Sequence, residues 1–441
     1  MRFSYAESVD STLLHCDIAC HRHSHHSHHS HRSHHRPDRR QRHHHPTKFI
    51  LPDLVSHCTY PLRNNPYCYP ISRSSEEWFL EVANHDSRQQ AAFLKLKAGE
   101  LTASCYPNAD PFHLRVCIDF MNFLFNLDDW LDEFCVKDTN AMAKCCLAAM
   151  RKPSTYKTSK KAGILTKSFY KRLTLTAGPN CQRRFIHSMK LFFTAVAQEA
   201  RHRERGIIPD LEAYITLRRD TSGCKPCFQL IEFAAGIDLP DEVINHPTIL
   251  ALEEATNDLV TWSNDIFSYN VEQSRHGTHN MITVLMKEQG LCLQDAVDLV
   301  GRYCKMSIER FEAHRQLLPS WNPDLDRKVA VYIEGLQNWI VGSLHWSFDT
   351  ERYFGKRGPE IKQHRTVELL PKGSPVLPGS SHTNSRGLPT HPKTSPLTSP
   401  VVGVRSKPKS KAYYGGRLNP LRFFRMHAAR STENSPSVSV K

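Results

Sequence analysis

The chain has 441 residues, room for two or three domains by length alone, but its two ends cannot contribute to a core. Residues 21–45, HRHSHHSHHSHRSHHRPDRRQRHHH, hold no aliphatic or aromatic hydrophobe, and from Lys356 onward Pro, Ser, Gly and Lys dominate, so neither stretch buries enough apolar surface to offset its ordering entropy. The net charge of +14 resides mostly there: residues 1–46 carry 7 basic against 4 acidic side chains, 356–441 carry 16 against 3, and the remaining 35 against 37 leave residues 47–355 at −2, which excludes a basic nucleic-acid-binding domain.

The expected organisation is therefore a disordered His/Arg/Ser-rich extension over 1–46, one folded domain over 47–355, and a disordered basic Pro/Ser-rich tail over 356–441. Fourteen cysteines are scattered without a disulfide framework, and Cys224-Lys-Pro-Cys227 is a lone CxxC, so reduced structural thiols are expected rather than zinc. The N-terminus has no continuous apolar stretch of the secretory kind, and no apolar run reaches the length of a membrane span. A soluble protein in a reducing, cytoplasmic setting is the expectation.

Residues 47–70 are Pro-rich and irregular, an arm anchored by Phe49, Leu51, Leu54 and Tyr60. At SSEEWFLEVAN the pattern turns helical, with Ser74 as N-cap and Glu77 three residues on. Residues 110–135, DPFHLRVCIDFMNFLFNLDDWLDEFC, offer Asp110 as N-cap, Pro111 at the first helical position, and apolar residues at helical spacing. Asp128, Asp129, Asp132 and Glu133 follow. Like charges this close repel on a helix, so four acids interleaved with Trp130, Leu131 and Phe134 invite a cation.

Helical spacing continues through 140–200, with a basic loop at KPSTYKTSKKAG (152–163). A short helix then carries Arg218 and Arg219 near its end, and Gly223 breaks it. Residues 252–273, LEEATNDLVTWSNDIFSYNVEQ, contain neither Pro nor Gly and predict a helix of about five turns. On it Asn264, Ser268 and Glu272 stand at i, i+4 and i+8, drifting only about 80° around the axis. Amide, hydroxyl and carboxylate oxygens in one column suit Mg²⁺. From 282 to 350 the pattern stays helical, ending at Trp346, Phe348, Arg352, Tyr353 and Phe354. With no period-2 strand, no Gly-rich phosphate loop and no repeat, the core is expected to be all α, with ten to twelve helices.

Two sets of hard oxygen ligands on different helices, with arginines nearby, describe a magnesium–diphosphate clamp. The segments DDWLDE (128–133) and NDIFSYNVE (264–272) resemble the aspartate-rich motif and the Asn/Ser/Glu triad of class I terpene synthases. RRDTSG (218–223) resembles that family's diphosphate-sensing segment, and ERYF (351–354) its terminal Arg-Tyr pair. The whole of 47–355 resembles the single-domain sesquiterpene synthases of mushroom-forming fungi. The resemblance implies a helical bundle around a deep apolar pocket that takes farnesyl diphosphate and three Mg²⁺ ions. It makes Asp128 the principal aspartate ligand, with Asp129 and Asp132 acting less directly, and gives another ion to Asn264, Ser268 and Glu272. It selects Arg219 over Arg218 as the diphosphate sensor, puts Ser222 and Gly223 beside the reacting carbon, and has Arg352 and Tyr353 donate to the diphosphate. Phe125 and Trp346 match aromatic pocket residues of the family, though each also reads as core packing.

One position departs from the family: the Lys or Arg that many relatives carry before the final Glu of the triad is Val271 here. The expected reaction is ionisation and cyclisation of farnesyl diphosphate by a monomer or homodimer, without nucleic acid. Three rivals remain: a chain-elongating prenyltransferase of the same fold, disfavoured because the second motif lacks the aspartate-rich pattern; a non-catalytic protein that binds metal through the His-rich extension; and nucleic-acid binding through the tail.

Overall fold

The computed structural model describes residues 47–373, and the expectations for 1–46 and for the tail beyond 373 lie outside them. Among the described residues the fold is helical apart from one pair of three-residue strands. After strand β1 (Lys48–Ile50) and the irregular arm, helix α1 runs from Cys68 to Ala83. It begins earlier than Ser74 because Pro70 falls in its first turn, where a missing N–H costs nothing. Ser74 is therefore interior to the helix, and its hydroxyl accepts from Arg115 instead. Next come α2 (Ser87–Leu96) and α3 (Ala98–Cys105), joined through Lys97 in the left-handed region.

Helix α4 (Pro111–Asp132) starts where the sequence predicts: the Asp110 carboxylate accepts from the Phe112 and His113 amides at 2.9 and 3.0 Å. Then follow α5 (Val136–Arg151), the basic loop, α6 (Lys161–Leu173), the long α7 (Pro179–Arg205), α8 (Leu211–Thr221) and α9 (Cys224–Ala235). The short α10 (Asp241–Ile244) leads into α11 (Pro247–Ser274), α12 (Met281–Gln289), α13 (Leu293–Arg315) and α14 (Pro323–Asp349). The chain finishes with α15 (Glu351–Phe354), a 3₁₀ turn, α16 (Gly358–His364) and strand β2 (Thr366–Glu368). Among the described residues sixteen α-helices stand where ten to twelve are expected; three of the additional ones, α10, α15 and α16, are too short to show a clear 3.6-residue period.

Helix α11 is the axle of the bundle. It packs against α8, α9, α12, α13, α14 and α15, and so is surrounded rather than amphipathic. Besides an apolar set it buries Thr256, Asn257, Asp258, Thr261, Ser263, Asp265, Ser268, Asn270 and Ser274. Buried polar groups must find partners, and those on the back of α11 find them in the C-terminal segment. Asn270 Nδ2 donates to Glu368 O (2.9 Å), its Oδ1 accepts from Leu370 N (2.8 Å), and Gln273 Nε2 donates to Leu370 O (2.8 Å). Strand β2 lies in turn antiparallel to β1, with Phe49 opposite Val367.

The folded body thus continues to 373, past the boundary at 355 that composition predicts. Residues 356–373 carry few hydrophobes, but Ile361 and Val367 are 5% and 2% exposed. Their burial contributes about 3–6 kcal/mol together. A chain ending at 373 is expected to keep the urea midpoint of the full protein, whereas one ending at 355 loses about that amount; equal midpoints for the two would sink the assignment.

On the other side of α11, Glu253 accepts from Tyr332 Oη at 2.5 Å. Burial pushes the Glu253 carboxyl up to about 7. An acid whose folded pKa is raised stabilises the fold in its protonated form, fully below the unfolded pKa, and that stability is lost as pH rises through about 7. Glu253→Gln, which keeps an acceptor for Tyr332, is expected to raise the urea midpoint most above pH 7, with the gain shrinking toward pH 5. A gain that does not vary with pH would exclude Glu253 as its source.

Candidate active site

A cavity of about 690 Å³ opens between α4, α7, α8, α9, α11 and α14, a usual size for a small-molecule site. Its floor is apolar, with Leu101, Met121, Leu124, Phe192, Trp339 and Trp346 among the lining residues. The thiols of the CxxC, Cys224 and Cys227, are part of that wall, and burial raises both, Cys224 to about 11. At the mouth the lining becomes charged.

The last turn of α4 brings Asp128, Asp129 and Asp132 to the mouth, and α7 adds Glu199. Asp128 and Asp132 keep 45% and 55% of their side-chain exposure, and both line the cavity. Removal from bulk solvent pushes the Asp128 carboxyl up to about 6 and Asp132 well up, with neighbouring carboxylates adding to both. Such a cluster is relieved by a cation.

Facing it, α11 presents Asn264, Ser268 and Glu272 to the same cavity. Ser268 Oγ is buried and makes no hydrogen bond of normal geometry, although the Glu272 carboxylate one turn on is near enough to feel it. Burial raises the Glu272 carboxyl, whose Oε2 accepts from Asn280 Nδ2 at 3.0 Å. An orphaned hydroxyl between an amide and a carboxylate fits a hard divalent cation. Among the described residues no three His, Cys, Asp or Glu side chains are grouped to hold a metal alone, so a cation here must also take amide, hydroxyl, water or substrate oxygens.

Four arginines line the cavity: Arg203, Arg218, Arg275 and Arg352. Arg352 reaches Asp129 at 3.2 Å and Asp128 at 3.8 Å, and its guanidinium stands 5.6 Å from the Phe125 ring centroid. Tyr353 Oη accepts from Asn264 Nδ2 at 2.8 Å. Arg218 donates to Asn264 Oδ1 at 2.9 Å and to Asp265 Oδ1 at 3.1 Å. Asp265 accepts in addition from Tyr214 Oη (2.5 Å) and Met281 N (3.1 Å).

Most of the chain is similar to known proteins. The family model "Terpene synthase family 2, C-terminal metal binding" matches residues 119–310. The chain is 53% identical to sesquiterpene synthase Agr1 of Cyclocybe aegerita over 74% of its length and 94% of the relative's. It is 50% identical to alpha-muurolene synthase of Coprinopsis cinerea, covering 75% of this chain and 80% of that one. This chain belongs to the fungal sesquiterpene synthases, within the class I terpene synthase family. Among solved structures, germacradien-4-ol synthase from Streptomyces citricolor superposes with a TM-score of 0.58 at 23% identity, over 66% of this chain and 96% of that one. An α-eudesmol synthase gives 0.61 at 20%, over 66% and 97%. At those identities the likeness concerns the fold.

In this synthase Asp128, Asp132, Asn264, Ser268, Glu272, Ser222, Gly223, Phe125, Trp346, Arg352 and Tyr353 all line the one cavity. Phe125 and Trp346 face each other at 5.4 Å, and Trp346 Nε1 is tied to Lys97 O at 3.0 Å. The exception is Arg219. Its guanidinium lies away from the cavity, bidentate on Asp258 (2.7 and 2.8 Å) and 2.9 Å from Glu254. Arg218 stands at the mouth in its place, because Tyr214 and Arg218, four residues apart, share the face of α8 that meets Asp265.

Sequence reasoning passed over Arg275, although the column Asn264–Ser268–Glu272 reaches it at i+11, about 20° from Asn264. It supplies a guanidinium one turn beyond Val271, the position where the family's basic residue is absent. Its Nε and Nη2 are buried without a partner, and burial together with the nearby Arg352 lowers its pKa. Asp265 was also legible, as the acid inside NDIFSYNVE.

The two adjacent arginines are separable. Arg218→Ala is expected to lower kcat at least a hundredfold with the fold intact, whereas Arg219→Ala lowers the urea midpoint and leaves kcat within about threefold. The reverse pattern in the steady-state assay would return the sensing role to Arg219.

Proposed function

We propose that this synthase ionises and cyclises farnesyl diphosphate to a sesquiterpene, with three Mg²⁺ ions bound alongside the diphosphate. One observation carries the reading: two ligand sets of hard oxygens, on α4 and α11, face each other across the mouth of a cavity whose floor is hydrocarbon. In this reading Asp128 is the principal aspartate ligand, with Asp129 and Asp132 supporting it, while Asn264, Ser268 and Glu272 hold another ion. The ions, when bound, neutralise the charge that develops on the departing diphosphate.

The protein's own part is placement. Arg218, Arg275, Arg352 and Tyr353 offer donors fixed before the substrate arrives, so little reorganisation accompanies the break of the C–O bond. Arg275 takes the contact that Val271 cannot make. The allylic cation left behind must be kept from water, and the apolar floor has little that could hold it. Phe125 and Trp346 turn aromatic faces to the prenyl chain, each worth about 2 kcal/mol to a desolvated cation. Ser222 and Gly223 set the backbone beside the ionising carbon. A reducing, cytoplasmic setting is in keeping with twelve free thiols among the described residues.

Purified full-length protein given farnesyl diphosphate and Mg²⁺ is expected to release a sesquiterpene detectable in the headspace by gas chromatography and mass spectrometry. Asp128→Ala and Glu272→Ala are each expected to lower turnover by about three orders of magnitude or more. Near-normal product from either would break the ligand assignment. Silence with farnesyl, geranyl and geranylgeranyl diphosphates alike would defeat the reading as a whole.

A further inference from the structure

Asn257 lies on α11 seven residues before Asn264, so the two share a face to within about 20°. It is 2% exposed and does not line the cavity. Two of the three hydrogen bonds of its amide nonetheless go to the break between α8 and α9. Asn257 Nδ2 donates to Arg219 O at 2.8 Å. Its Oδ1 accepts from Ser222 Oγ at 2.9 Å, and from Thr261 Oγ1, one turn along α11, at 3.0 Å. Ser222 Oγ also accepts from Cys224 N at 3.1 Å, the first amide of α9.

A helix end leaves its last carbonyls without partners, and water or a following turn usually satisfies them. Here the partner comes from the helix that carries the triad. The break needs such a restraint. Gly223 sits at φ +72°, which glycine adopts without the steric cost other residues meet, and glycine is also the residue freest to leave. Thr221, Ser222, Gly223 and Cys224 all face the cavity.

We propose that Asn257 is a positioning residue for the reaction: it pins the α8–α9 break to the ligand-bearing face of α11, fixing the 221–224 backbone against the ionising end of the prenyl chain. The proposal rests on the reading above that this break stands beside the reacting carbon. Diphosphate binding at the mouth, through Arg218, Arg352 and the two ligand sets, does not involve the clamp. Its loss therefore falls on turnover and on the path of the cation, not on affinity.

The test is steady-state kinetics of the full chain with farnesyl diphosphate, with Mg²⁺ titration and product analysis. Asn257→Ala is expected to lower kcat at least tenfold and to enrich acyclic and early-quenched products. KM and the half-saturating Mg²⁺ concentration stay within threefold. Ser222→Ala, which removes one arm of the clamp, shifts products the same way to a smaller extent, and the double variant falls no further than Asn257→Ala. A folded Asn257→Ala enzyme with kcat and product ratios within twofold of the parent overturns the proposal. So does a loss expressed in KM or Mg²⁺ requirement. Should Asn257→Ala not fold, an unchanged product ratio in Ser222→Ala overturns it instead. Gly223→Ala separates the layers: a product shift there without one in the Asn257 variant removes the clamp only, whereas neutrality in both removes the placement of the break.

Discussion

An uncompensated polar group is among the costliest things a protein can bury, and α11 buries more of them than any packing role requires. Most are settled in pairs: Asn270 by the C-terminal strand, Asp265 by Tyr214, Arg218 and the Met281 amide, Asn257 by the α8–α9 break. The exception is Ser268 Oγ, and it stands in the middle of the triad. In the proposed reading, that hydroxyl is the one left open for the metal ion. The rest of the fold serves to hold that helix still, since α8, α9, α12, α13, α14 and α15 all pack on it.

The same constraint organises the mouth. Arginines and their acceptors there lean on each other: Arg352 on Asp129, Arg203 on Glu199 at 3.3 Å, Arg218 on Asn264 and Asp265. A buried or half-buried charge left alone is penalised heavily, whereas a paired one is tolerated. Each of these pairs joins one group suited to a cation with one suited to an anion. In the proposed reading, a diphosphate arriving with divalent cations replaces the Arg352–Asp129 and Arg218–Asn264 contacts with new ones of opposite sense. Substrate binding is in that reading a partner exchange for these pairs, while Arg275, whose Nε and Nη2 are buried without a partner, gains one.

How much of this was legible in the sequence depends on the scale of the signal. The Asn264–Ser268–Glu272 column and the acidic end of α4 repeat at helical spacing, and such spacing fixes the face on which side chains lie. Both line the same cavity. Arg218 and Arg219 were not resolved, because adjacent residues on a helix differ by about 100° and the choice between them depends on Asp258 and Asp265, which lie across an interface. The expected boundary at 355 failed for a related reason. Residues 356–373 are polar, and they fold because Asn270 and Gln273 of α11 bind their backbone, an attraction that composition does not record. Strand β2 is likewise too short to alternate visibly, and its partner lies at the opposite end of the domain.

The cavity floor links these layers to the product. Gly223 has the side chain of Leu124 against it: a Cβ there would meet Leu124 Cδ2 at 3.0 Å. Leu124 is in turn one helical turn before Asp128, and Phe125 lies beneath Arg352. Floor, break and ligand face are thus one packed unit, so a change of shape in any of them moves the others. Competing cation rearrangements differ tenfold in yield for about 1.4 kcal/mol, and one methylene in a tight apolar wall is worth about 1–3 kcal/mol. A relative that shares half its residues with this chain can therefore keep every ligand and still steer the cation elsewhere. In the proposed reading, ionisation is set by the charged mouth and product identity by the wall behind it.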